Sequence, residues 1–199
     1  MKIGIPDDYQ NIISKLNCFS LLKDHEVTIL HDAEKSIDVL AEQLKDFEVL
    51  VLTRERTEIH EELLKKLPKL KLISQTGKIS NHLDLAACTK YNVAVAEGIG
   101  SPIAPAELTW VLIMNALRKI PQAIESMKKG HWQTNIGRSV NGKLIGIWGY
   151  GKIGSKIAQY AKVFGADVIV WGSENSMEKA VKDGFRRARN KEEFFQKAI

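Results

Sequence analysis

Apolar residues recur along this chain in two rhythms. Short runs rich in Val, Ile and Leu alternate with segments whose apolar positions fall three and four apart. The short runs are "KIGIP" (Lys2–Pro6), "EVTIL" (Glu26–Leu30), "VLVLT" (Val49–Thr53), "LKLISQT" (Leu70–Thr76) and "VAVAEG" (Val93–Gly98). Each is bounded by turn or charged residues and reads as a strand. Between them "SIDVLAEQLKD", "HEELLKKLP" and "LDLAACTKY" read as helices with one apolar face. Strands alternating with helices predict a parallel sheet covered on both faces. Residues 1–100 therefore read as one flavodoxin-like unit of an α/β chain.

The rhythm then changes. "PIAPAELTWVLIMNALRKI" (Pro102–Ile120) carries too many apolar residues for a one-sided surface helix, so it is expected to be buried between units. Pro121 is expected to end or kink it. "GHWQTNIGRSVNGK" reads as a connecting loop. A second series starts at Leu144, with "LIGIWG" a strand, Lys152–Phe164 a helix, "DVIVWG" a strand and Ser176–Asp183 a helix. "FRRA" reads as a short third strand and "KEEFFQKAI" as the start of another helix. Residues 101–199 are thus expected to form the first half of a doubly wound Rossmann domain.

Composition changes this picture little. The 199 residues are 44% hydrophobic and 27% charged, which fits globular units rather than a disordered chain. No apolar run reaches the roughly eighteen residues of a transmembrane helix, and "MKIGIPDDYQ" lacks the pattern of a signal peptide. Cys18 and Cys88 have no metal or redox spacing and read as reduced thiols of a cytoplasmic protein. The net charge is +5, with Lys179, Lys182, Arg186, Arg187, Arg189 and Lys191 gathered late. Without interleaved aromatics or a recognisable module, that cluster reads as a solvated surface, not a nucleic-acid site.

The second series opens on the one stretch with chemistry in its spacing. "GYGKIG" places Gly149, Gly151 and Gly154 at GxGxxG spacing after a strand and before a helix, with a second strand following. Gly149 suits the tight turn, Gly151 lets a pyrophosphate approach the backbone, and Gly154 lets helix and strand lie close. Tyr150, Lys152 and Ile153 complete the turn, and the helix N-terminus offers unpaired N–H groups to phosphate. The acid that binds ribose hydroxyls is expected at the end of the next strand. Gly172 stands there instead, followed by Ser173 and Glu174. Glu174 either takes over that role or is an exposed turn residue. Its charge would repel a 2′-phosphate, which favours NAD over NADP.

These residues carry a family likeness. "GYGKIGSKIAQYAKVFGADVIVW" resembles the cofactor segment of the D-isomer-specific 2-hydroxyacid dehydrogenases. "LISQTGKISNHLDLAACTKYNVAVAEG", "AELTWVLIMNALR" and "GKLIGIWGYGKIG" are similar to other stretches of the family, in the same order. "DDYQ" and "RERT" are similar to its phosphoglycerate-dehydrogenase-like branch. The resemblance implies a two-domain enzyme with a cleft, interconverting a 2-hydroxy acid and its 2-keto acid with a nicotinamide cofactor. It implies that the backbone at Gly77 and Lys78 holds the substrate carboxylate, that Arg54 adds a cation there, and that Thr109 lies near the nicotinamide. Against these stand a surface arginine in a loop and a threonine packed in a helix. The loop departs from the family's pattern, with Asn81 displaced from the usual asparagine position. His82 is not a position at which the family uses a histidine, and a loop histidine is more often solvated than catalytic. The family also implies a homodimer built around the second unit.

The resemblance further implies a catalytic arginine, glutamate and histidine in the nicotinamide half of the domain. Residues 144–199 match only the adenosine half, and none of the five histidines matches the catalytic one. The strand Leu144–Trp148 is then left with an open edge, apolar on both faces. The chain is expected to be a truncated dehydrogenase, inactive alone. The alternative is a non-catalytic nucleotide-binding or protein-interaction module. A response-regulator-like reading of residues 1–100, from Asp7 and Asp8 after the first strand, leaves the second series unexplained.

Overall fold

A computed structural model describes residues 1–31 and 36–198, and it separates into two compact units, Met1–Gly100 and Ser101 onward. The first unit holds β1 (Lys2–Ile5), β2 (Glu26–Ile29), β3 (Val49–Leu52), β4 (Leu72–Gln75) and β5 (Ala94–Glu97). All pair in parallel, in the order β2-β1-β3-β4-β5. Alternation along β3 sends its residues to opposite faces. Val49 joins Ile3 and Ile5 in one cluster, and Leu50 and Leu52 join Ile73 in the other. The second cluster is closed by α1 (Ile37–Leu44), α2 (Glu61–Leu64) and α3 (Leu85–Lys90). The first face is closed by two short 3-10 segments, Ile13–Lys15 and Asn17–Leu22, through Ile13, Phe19 and Leu22.

The second unit opens with α4 (Ile103–Arg118) and α5 (Ile120–Lys128). Lys119 adopts a left-handed φ of 52° between them, and Pro121 lies in the first turn of α5. Pro121 therefore starts a helix rather than ending one, as its missing N–H allows at that position. The sheet is β6 (Leu144–Trp148), β7 (Asp167–Trp171) and β8 (Arg186–Arg187), parallel and in that order. The helices are α6 (Lys152–Val163), α7 (Glu174–Lys182) and α8 (Lys191–Lys197), and Ile199 lies outside the described residues.

One expectation needs correction here. The long helix is not buried all round, for Ala106 is its only fully buried residue. Trp110, Ile113, Met114 and Leu117 pack on the core that holds Ala158 and Ala161 of α6, while Leu108, Val111 and Leu112 stand exposed on α4. Hydrophobicity shows that a face seeks burial, not that this chain supplies the cover. The apolar faces of β6 are both covered. Ile145 and Ile147 sit in the α4/α6 core, and Leu144 in a cluster with Phe194 and Ala198 of the α8 region. A Cβ added to Gly146 would lie 2.4 Å from that of Ala198, which is how closely α8 approaches. What β6 leaves open among the described residues is its hydrogen-bonding edge.

Candidate functional site

The turn after β6 is built by close approach. Gly149 adopts a φ of 91°, a left-handed value that glycine reaches without steric cost. Its amide donates to the Trp171 carbonyl at 2.7 Å, tying the turn to the end of β7. A Cβ on Gly154 would fall 2.1 Å from the Gly149 carbonyl oxygen and 3.1 Å from Ile147. Gly154 is therefore the residue that lets α6 lie against β6. At Gly149 and Gly151 an added Cβ would meet nothing within 4 Å. Space is open in front of the turn where Gly154 has none behind it. Gly151 is the N-cap of α6 and contributes no side-chain cap, and Lys152 and Ile153 follow as exposed first-turn residues. A helix N-terminus facing open space and uncapped by side chains suits an anion, so the cradle fits a dinucleotide pyrophosphate.

Tyr150 points the other way. It is 1% exposed, its ring lies 5.8 Å from that of Phe185, and its hydroxyl donates to Asp183 Oδ2 at 2.9 Å. Burial and the Asp183 carboxylate push its phenol pKa up. Its amide donates to Ser176 Oγ at 2.5 Å, so its backbone is also committed. Tyr150 braces the turn from inside.

The end of β7 is less committed. A Cβ on Gly172 would lie 3.4 Å from Gly149 N and Cα, an ordinary contact, so a side chain fits beside the turn. Ser173 caps α7 by accepting from the Ser176 amide. Glu174 accepts from Arg187 Nη1 at 2.5 Å across to β8. The carboxylate set against a 2′-phosphate thus has a guanidinium on it, a partner that spacing alone did not reveal. Thr109 is half-buried on α4 and donates its hydroxyl to the Pro105 carbonyl at 2.7 Å.

In the first unit, Arg54, Gly77 and Lys78 lie in loops after β3 and β4. Arg54 is exposed with a left-handed φ of 54°. Among the described residues its guanidinium has no partner, whereas that of Arg56 donates to the Asp7 carbonyl and Gln10 and lies over the Tyr9 ring. Lys78 is paired with Glu97, which also accepts from the Ile79 amide at 3.2 Å. The Lys78 ammonium, then the Ile79 N–H, hold the Glu97 carboxyl below the usual carboxylate range. An added Cβ on Gly77 would meet open space. His82 is not solvated. It is 6% exposed, with Nε2 3.2 Å from Gln75 Oε1. Periodicity alone does not single out Gln75, although a glutamine two residues after Ile73 on the inward face of a strand is a readable signal. No group of three or more acidic, histidine or cysteine side chains suited to a metal occurs among the described residues.

Residues 9–193 match the model of "D-isomer specific 2-hydroxyacid dehydrogenase, catalytic domain". The D-3-phosphoglycerate dehydrogenase of Bacillus subtilis is 34% identical over 162 residues, 80% of this chain and 31% of that protein. A phosphoglycerate oxidoreductase from Vibrio cholerae o395 superposes with a TM-score of 0.94 at 54% identity, over 100% of this chain and 64% of that one. An NAD-dependent formate dehydrogenase from Staphylococcus aureus, solved in complex with NAD, superposes at 0.68 with 25% identity, over 88% of this chain and 57% of that one. The chain thus spans about a third of that curated relative and under two thirds of these solved chains.

Proposed function

We propose that this chain, which belongs to the D-isomer-specific 2-hydroxyacid dehydrogenase family, is the acid-binding and adenosine-binding portion of an NAD-dependent oxidoreductase acting on a 2-hydroxy acid and its 2-keto acid. The observation that carries this reading is the turn at 149–154, closed behind by Gly154 and open in front at Gly149 and Gly151. Gly149, Gly151, Lys152 and Ile153 would face the pyrophosphate through backbone, with Tyr150 bracing them. Gly172, Ser173 and Glu174 would flank the adenosine ribose. The cofactor, when bound, supplies the hydride acceptor or donor. Arg54 and the backbone at Gly77 and Lys78 would bind the substrate's carboxylate, and Thr109 would line the nicotinamide side.

Proton transfer is a separate requirement. His82, the buried histidine of the first unit, is committed to Gln75. The second unit's sheet shows three strands among the described residues, the complement of one dinucleotide half. That favours binding without turnover by these 199 residues, the behaviour of a nucleotide-binding module. The exposed Leu108, Val111 and Leu112 on α4 support a homodimer through that helix. Free thiols at Cys18 and Cys88 support a cytoplasmic setting. No helix among the described residues is long and apolar enough to cross a membrane.

Tryptophan quenching with NADH and NADPH, alongside assays of glycerate, lactate and 3-phosphoglycerate oxidation, tests this reading. Binding with NADH preferred and no turnover is expected. Turnover by these 199 residues would show that the proton carrier has been misplaced, and an absence of binding would remove the nucleotide site itself.

A further inference from the structure

Arg54 is held in an unusual way. An arginine at a φ of 54° occupies the left-handed region, which disfavours side chains with a Cβ and persists only where the surroundings over-determine it. Here both sides of the residue are tied to the end of β4. Gln75 Nε2 donates to the Arg54 carbonyl at 2.8 Å, and the Arg54 amide approaches Thr76 Oγ1 at 3.4 Å. Gln75 is 2% exposed, and giving its N–H to Arg54 leaves Oε1 as an acceptor. The group facing Oε1 is His82 Nε2, which must therefore carry the hydrogen. Nδ1 is buried and, among the described residues, without a partner. An unsatisfied buried nitrogen costs folding free energy. It is retained in a residue whose other nitrogen fixes the orientation of the Gln75 amide. The His82 carbonyl accepts from the Ile59 amide at 2.8 Å, so the imidazole's own loop is anchored.

We propose that His82 is a positioning residue: through Gln75 it holds the backbone of Arg54 in its left-handed turn, and so aims the uncommitted Arg54 guanidinium at the anionic end of the substrate. This rests on the reading of Arg54 as a substrate-binding residue. The relay runs from His82 Nε2–H to Gln75 Oε1, and from Gln75 Nε2–H to the Arg54 carbonyl. Two features set Arg54 apart from its neighbours. The Arg56 guanidinium is consumed by Asp7, Gln10 and Tyr9, and Lys78 is paired with Glu97. Among the described residues Arg54 is left as a cation with a fixed backbone and an unpaired head, the combination a bidentate carboxylate or phosphate contact requires.

The test uses the 199-residue chain, with 3-phosphoglycerate as the probe followed by NMR at the Arg54 backbone and Nε–H. His82→Leu removes both the donor and the orphaned nitrogen at similar volume, and His82→Gln restores an N–H donor. His82→Leu should move the Arg54 backbone coupling constant away from its left-handed value and weaken probe binding about 5- to 10-fold. His82→Gln should recover most of both. In an Arg54→Ala background His82→Leu should weaken binding no further. Unchanged Arg54 couplings in a folded His82→Leu protein would overturn the relay. An equal loss of affinity with and without Arg54 would show that His82 acts only on stability. If Arg54→Ala alone leaves binding intact, the substrate reading of Arg54 fails, and the inference with it.

Discussion

Gly151 and Gly154 share a motif but do different work, and substitution separates them. A methyl at Gly154 collides with the Gly149 carbonyl and must push α6 off β6. Overpacking of this kind costs about 1–3 kcal/mol. Gly154→Ala should lower the thermal midpoint and weaken NADH binding together. A methyl at Gly151 enters open space. Gly151→Ala should keep the midpoint and weaken NADH binding about tenfold, because the Cβ occupies the approach of the pyrophosphate. Gly172 offers a third contrast, since a side chain fits there at 3.4 Å from Gly149. Gly172→Asp should tighten NADH and weaken NADPH, as read by parallel titrations, because a carboxylate at that strand end accepts from ribose hydroxyls and repels a 2′-phosphate. Spacing alone separated the motif's glycines from the rest of the chain. It could not show that Tyr150 turns inward to Asp183, or that Glu174 is paired with Arg187, because both partners come from elements further along.

Elements of regular period were the most legible. The five strands of the first unit and β6 and β7 of the second lie in the short apolar runs that predict them, most plainly β1, β3 and β7, whose burial keeps the run unbroken; β8 is the exposed pair Arg186–Arg187 within "FRRA", which no apolar run marks. The 3-10 segments at Ile13–Lys15 and Asn17–Leu22 were not legible. Their apolar residues Ile13, Phe19 and Leu22 stand six and three apart, multiples of the 3-10 turn, in segments too short for a repeat to show. At α4 the apolar composition calls for burial, and the exposed Leu108, Val111 and Leu112 show that part of that demand is unmet within the described chain. Leu112→Asp should therefore convert a dimer to a monomer in sedimentation velocity without lowering the thermal midpoint; an unchanged sedimentation coefficient would place the interface elsewhere. At α8, Glu193 accepts from Lys197, from the Arg189 amide and from the Arg189 guanidinium, and Asn190 caps the helix. The Lys197 ammonium first, then the Arg189 N–H, hold its pKa at about 2 rather than the ordinary 4.5. A depressed carboxyl pKa stabilises the folded state above the ordinary value and loses that contribution as pH falls toward the folded one. Helix α8 should therefore hold to about pH 4.5 and loosen between there and pH 2. Backbone chemical shifts of Phe194 and Phe195 report this, and Glu193→Gln should abolish the pH dependence.

At the scale of the molecule, each unit is one answer to one sequence rhythm. The first is a five-stranded parallel sheet whose loops after β3 and β4 carry Arg54, its guanidinium without a partner among the described residues, and an open Gly77. The second is a three-stranded parallel sheet whose first turn is shaped for phosphate. Family membership was legible because the motifs recur in order along almost the whole chain. The relay from His82 to Arg54 was not, because it joins a loop to a strand end and then to another loop, with no periodicity to mark it. The proposed site depends above all on the turn at 149–154 binding a dinucleotide by its pyrophosphate. Calorimetric titration of the purified chain with NADH, repeated with Gly151→Val, tests it most directly. One-site binding is expected, with ADP-ribose competing for the site and Gly151→Val abolishing it in a protein that remains folded. Failure of the folded native chain to bind NADH, or equal binding by Gly151→Val, would contradict it.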